Sequence, residues 1–260
     1  MNLPEKKRVL YDLAASDRAG KYAGKLGRLC STVFQDEGNY TIMPDELGGR
    51  ISRQLLIHGY SSRFLSFVFP DKTILDTGYQ SIVFGPEDGI VEKYIKMSLG
   101  KSATTADAFY EYERDCIVAV SEVFGDMLAI ASPKAFSLRM RPLGRVSASG
   151  STQEYIIGGI NLFADDSIEK IRSSTGNNFP LAVSNIERFL ELDSCFADNY
   201  GAHIDVVGDS NVVVIPDGTI KIIDYDPNIP SNYRDLPKYS DSAEERLRLL
   251  NRMRKALKEM

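Results

Sequence analysis

Hydrophobic and polar positions change period several times along this chain. Residues 4–30 carry Val9, Leu10, Leu13, Ala14, Leu26 and Leu29 among many charged residues, which predicts one or two amphipathic helices broken near Gly20. Pro44-Asp45-Glu46 predicts the start of another helix, its acidic first turn favoured by the helix dipole, with Ile51, Leu55 and Leu56 as its apolar face and His58 as a capping or surface residue at its end. From Arg63 the texture becomes that of strands. Phe64–Phe69, Ile74–Leu75, Ser81–Phe84 and Ile90–Ile95 are separated by Pro70-Asp71, Asp76-Thr77-Gly78 and the turn residues Gly85 to Gly89. A helix is predicted over Ala106–Val123, then strands over Met127–Ile130, Ala135–Ser137 and Leu138–Met140, a break at Arg141–Gly144 and a small, polar linker over Val146–Thr152. Helices follow over Asp165–Ser173 and Pro180–Asn199, the second with Leu181, Ile186, Phe189, Leu190, Leu192 and Phe196 as its apolar face and Gly201 closing it. A charged helix over Ala243–Met260, with Leu247, Leu249, Leu250, Met253 and Leu257, ends the pattern.

The most informative stretch runs from Tyr200 to Pro227. Val212–Ile215 and Ile220–Ile223 are two β-branched runs joined by Pro216-Asp217-Gly218, which predicts a hairpin. Asn211 stands at its entrance and Asp224 at its exit, so the two ends meet despite thirteen intervening steps of chain. An amide oxygen and a carboxylate are hard donors suited to Mg²⁺, which completes its shell with waters and substrate phosphates. Upstream, His203-Ile204-Asp205 supplies a carboxylate able to orient a hydroxyl and accept its proton. Earlier in the chain, alternation puts Val91, Lys93 and Ile95 on one face of a strand, leaving Lys96 on the surface face with Tyr94 and Glu92. Glu113 falls on the apolar stripe of the Ala106–Val123 helix with Phe109, Cys116, Ile117 and Val120, and a carboxylate there needs a cation, for which Lys93 is the candidate.

Composition narrows the class. The 260 residues are 43% hydrophobic and 26% charged, ordinary globular material with enough chain for one large domain or two lobes. A net charge of −5 argues against a nucleic-acid-binding protein. Cys30, Cys116 and Cys195 are odd in number and far apart, as expected of buried small residues in a reducing compartment. No apolar run reaches the ~18 residues a membrane span needs and no secretory leader is evident, so a cytoplasmic protein is expected, with export as an effector by another route left open.

The order His-x-Asp, Asn, hairpin, Asp resembles the catalytic loop and metal-binding strand end of the protein-kinase-like superfamily. Asn211 lies six positions after Asp205, one more than in the family's motif, leaving Asp209 in the same loop, and Asp226 stands where the family's glycine follows its Asp-Phe, as in small-molecule kinases of the superfamily. The resemblance covers Phe64 to Pro227 and implies an α+β, two-lobed kinase-like fold with a truncated C-terminal lobe: a helical extension over residues 1–62, an N-terminal lobe over 63–145 and a reduced C-terminal lobe over 146–260. It implies ATP and Mg²⁺ as cofactors. Lys93, paired with Glu113, would hold the phosphates, Asp205 would serve the acceptor, and Asn211, Asp224 and Asp226 would hold the metal. Gly78, Ser81 and Val83 would belong to the phosphate-covering turn, and Val91, Met140 and Leu143 would meet the adenine, with the hinge at Arg141–Gly144. The expected activity is that of a minimal, atypical effector-type serine/threonine protein kinase acting on a protein substrate. Two alternatives are a small-molecule hydroxyl kinase of the aminoglycoside-phosphotransferase type and an inactive pseudokinase that binds partners.

Overall fold

The computed structural model describes residues 2–16, 69–77, 81–95, 98, 102–140, 144–207, 211–225 and 237–259. The expected helix beginning at Pro44, with His58, lies outside them, as do Cys30, Phe64, Gly78, Lys96, Leu143, Asp209 and Asp226. The described chain is mixed α+β and divides into two units, one comprising residues 7–114 and 131–155, the other 1–6, 115–130 and 156–260. Helix α1 (Leu3–Ser16) starts at Asn2, whose side-chain oxygen accepts the Glu5 N–H at 3.1 Å as an N-cap. It buries Leu3, Lys7 and Leu10 as one stripe, whereas Val9 is exposed. Among the described residues no helix is long and apolar enough to cross a membrane.

The first unit is built on a five-stranded antiparallel sheet: β1 (Ile74–Thr77), β2 (Ser81–Glu87), β3 (Ile90–Ile95), β4 (Ala131–Met140) and β5 (Gly144–Glu154), in the order β1-β2-β3-β5-β4. Helix α2 (Ala103–Phe124) intervenes between β3 and β4. Ser102 caps it, its Oγ accepting the Thr105 N–H at 3.3 Å. Two expectations fail here. The run Val146–Thr152 is the middle of strand β5 rather than a linker, so the sheet continues past residue 145 to Glu154. Ser149 and Ser151 are buried within it, and the burial of Ser149 is tolerated because its groups are satisfied: its Oγ donates to the carbonyl of Ala106 at 2.6 Å, and its N–H donates to Ser98 Oγ at 2.8 Å. Likewise Ala135–Ser137 and Leu138–Met140 form one continuous strand with residues 131–134.

The face carrying Glu92 and Tyr94 is not simply a solvated surface. Phe69, Phe84, Tyr94 and Phe136 stack edge to face along it, with centroids 5.2, 4.9 and 4.1 Å apart in succession. Glu92 sits beside this stack, paired with Lys72 and Lys134 and accepting from Tyr94 Oη at 2.6 Å. Burial opposes its ionisation, but these three donors prevail and hold its pKa below the ordinary value. Burial, then the Glu92 carboxylate, push the Tyr94 hydroxyl upward.

The second unit contains β6 (Ile160–Asn161), α3 (Ser167–Thr175), α4 (Phe179–Tyr200), β7 (Val212–Val214), β8 (Ile220–Ile222) and α5 (Pro237–Lys258), the strands forming a small antiparallel sheet β6-β7-β8. Its core gathers Phe124, Phe163, Phe189 and Phe196. Gly201 ends α4 in the left-handed conformation, φ +67°, its N–H donating to Ala197 O at 2.9 Å. Met127–Ile130 is not a strand: Met127 closes a short 3₁₀ turn that begins at Gly125, and Leu128 makes an isolated bridge to Ile222. Leu181 and Leu247, expected on apolar faces, are exposed, and so is Cys195, while Cys116 is buried.

Candidate functional site

In the first unit Lys93 pairs across β3 with Val83 of β2 and Ser151 of β5. Directly opposed residues share a face, so Lys93 projects with Val83, Val91 and Ile95 and with the buried Ser149, Ser151 and Gln153. Ser81, opposite Ile95, is on that face and buried. Helix α2 is anchored there too, because Ser149 bonds to Ala106 in its first turn. Glu113 lies two turns further along, 6% exposed, on a stripe with Ala106, Phe109, Cys116 and Ile117. The face of the sheet that carries Lys93 is therefore the one on which the first turn of α2 is anchored.

The proposed adenine contacts fare differently. Met140 pairs with Gly144 at the far end of the β4–β5 ladder, so the chain does not leave the sheet after Met140. Ser151, opposite Lys93, is seven positions from Gly144, about 23 Å along a strand. A base held at Met140 would be too far from a phosphate held by Lys93, and Leu143 lies outside the described residues. The chain leaves the sheet after Glu154, which pairs with Ile90 close to Lys93, and Tyr155 N–H donates to Gly89 O at 2.8 Å. In sequence Arg141-Pro142-Leu143-Gly144 has turn chemistry and Val146–Thr152 offers only Val146 and Ala148 as apolar residues, so the pattern does not show the strand.

In the second unit the hairpin forms as expected, with Val212 opposite Ile222, Val213 opposite Lys221 and Val214 opposite Ile220. Gly218 N–H closes the turn on Ile215 O at 2.9 Å, and Asp217 Oδ1 accepts from Thr219 N–H and Oγ, each at 2.8 Å. At the other end Asn211 O accepts the N–H groups of both Ile223, at 2.8 Å, and Asp224, at 3.2 Å. Asn211 and Asp224 are thus held together by backbone, both partly exposed. Asp205 Oδ1 accepts the Val207 N–H at 2.9 Å in a local turn. His203 Nδ1 lies 3.3 Å from Oδ2 of Asp193, a residue the pattern reading passed over. Asp193 occupies the apolar stripe of α4 with Ile186, Phe189, Leu190 and Phe196, so the reasoning that singled out Glu113 would have found it.

Among the described residues no three His, Cys, Asp or Glu side chains gather as a metal site. Asn211 and Asp224 nonetheless fit Mg²⁺, which needs one or two protein oxygens and otherwise takes water and phosphate. No family model matches this chain, and no curated protein is significantly similar to it.

Proposed function

We propose that this protein is a kinase-like phosphotransferase that moves the γ-phosphoryl group of ATP to the hydroxyl of a protein serine or threonine. The observation that carries the reading is the pair of backbone hydrogen bonds that the Asn211 carbonyl accepts from Ile223 and Asp224, which joins the two ends of the hairpin. It is supported by the succession of strand with Lys93, helix with buried Glu113 and antiparallel strand pair, the arrangement in which a kinase lysine and glutamate are found.

On this reading Lys93, oriented by Glu113, holds the phosphates of ATP. Asn211 and Asp224, with Asp226 following in the chain, would hold Mg²⁺, which when bound neutralises phosphate charge. Asp205 orients the acceptor hydroxyl and takes its proton as the oxygen bonds to the γ-phosphorus and the bond to the β,γ-bridging oxygen breaks, releasing ADP. The base belongs at the end of β5 near Glu154 rather than at Met140.

The test is transfer from γ-labelled ATP by the full chain, alone, with protein acceptors and with sugar or aminocyclitol hydroxyls. Asp224→Asn should reduce transfer by about two orders of magnitude or more and leave the melting temperature within about 3 °C. Label on small molecules only would move the reading to a small-molecule kinase. Binding of Mg²⁺-ATP without any transfer would make the chain a pseudokinase, and unimpaired Asp224→Asn would remove the metal assignment.

A further inference from the structure

Three polar side chains from separate stretches of the second unit meet, Asp193 and Arg246 buried and His203 partly exposed. Asp193 is 3% exposed. Its Oδ1 accepts the backbone N–H of Ile204 at 3.1 Å, while Oδ2 faces the His203 ring and accepts from the Arg246 guanidinium. Arg246 is itself 7% exposed, on the stripe that α5 forms with Leu249, Leu250 and Met253. Burial disfavours the ionised carboxylate, yet His203 and Arg246 together outweigh it and hold Asp193 below its ordinary range.

What this carboxylate grips is the segment 202–207, in which burial alternates. Ala202, Ile204 and Val206 are buried, and His203, Asp205 and Val207 are partly exposed. The apolar members fix which side of the segment faces the core, and the Ile204 N–H bond fixes its rotation, because turning it would strand a buried donor. Two apolar residues could fill the same stripe positions on α4 and α5, and a buried ion pair is not in itself a gain in stability. An apolar pair could not, however, accept the Ile204 N–H. The arginine keeps that acceptor charged and in place.

Resting on the reading that Asp205 serves the acceptor hydroxyl, we infer that Asp193 and Arg246 are positioning residues that set the pose of the His203–Val207 segment and, through it, the Asp205 carboxylate. Helix α5 thereby acts on the reaction through one guanidinium.

The experiment compares the full wild-type chain with Asp193→Leu/Arg246→Met, which removes both buried charges together, and with Arg246→Gln. In the double variant, amide exchange over residues 203–207 should accelerate by about tenfold or more relative to the 212–222 hairpin. Its kcat should fall about 10- to 100-fold with the KM for ATP changed less than about twofold. Arg246→Gln should show the same pattern at smaller amplitude, and it decides the matter if the double variant does not fold. Wild-type exchange over 203–207 in Arg246→Gln, or a kcat loss matched by uniform loss of protection across the unit, overturns the inference. A wild-type chain that transfers no phosphoryl group would sink the reading of the site, whereas the pinning of the segment would still be decided by exchange.

Discussion

A β-carbon added to Gly150 would fall 1.9 Å from the carbonyl oxygen of Lys93. The backbones of β5 and β3 close up at that point, where Gly150 pairs with Tyr94, the neighbour of the proposed phosphate-binding lysine. The glycine is required by approach rather than by backbone dihedral. Gly150→Ala would have to push the two strands apart, costing about 3 kcal/mol, the upper part of the usual overpacking range. Because the displaced residue is Lys93 itself, the KM for ATP should rise along with the loss of thermal stability. A variant that melts like wild type would show that the strands can separate cheaply.

Lys93 and Glu113 should behave as one unit. Lys93→Met is expected to lower phosphoryl transfer by about 100-fold and Glu113→Gln by about 10-fold, and the double variant should be no worse than Lys93→Met alone, because the glutamate acts only through the lysine. Steady-state kinetics of the four proteins checks this. Fully multiplicative losses would separate the two residues.

Asp193 gives the fold a definite acid sensitivity. Its pKa in the folded chain is below its ordinary value of 3.8, so the unfolded chain binds more protons between those two values. The stabilisation is therefore complete above the ordinary value and is lost as pH falls through the depressed one. Chemical unfolding at pH steps from about 6 to about 2 should show a shallower decline for Asp193→Asn than for wild type. Glu92, also depressed, contributes its own share in the other unit, so a residual slope is expected in the variant.

Gly218 is constrained twice. Its φ of +88° is a conformation that side chains rarely adopt, and a β-carbon there would lie 2.9 Å from Asn178 O at the start of α4. Gly218→Ala should destabilise the chain by about 2 kcal/mol and lower the melting temperature measurably, while Asp217→Ala, in the same turn but exposed, should cost less.

What could be read from the chain without coordinates is what neighbours in sequence decide. The Val212–Ile222 hairpin, the Phe179–Tyr200 helix with its glycine stop and the alternation that isolates Lys93 all follow from propensity, turn chemistry and period over a few residues. The two ends of the hairpin had to meet once its turn formed, and so Asn211 and Asp224 could be paired in advance. The strand through Val146–Thr152 could not be read in this way. Serines and a glycine become a buried strand only when Ser98 and Ala106, from elsewhere in the chain, satisfy their polar groups and when Lys93 leaves no space for a side chain. The same holds for Asp193 and Arg246, 53 residues apart. Each alone looks like a misplaced charge on an apolar stripe, and folding alone supplies the partner that makes its burial tolerable.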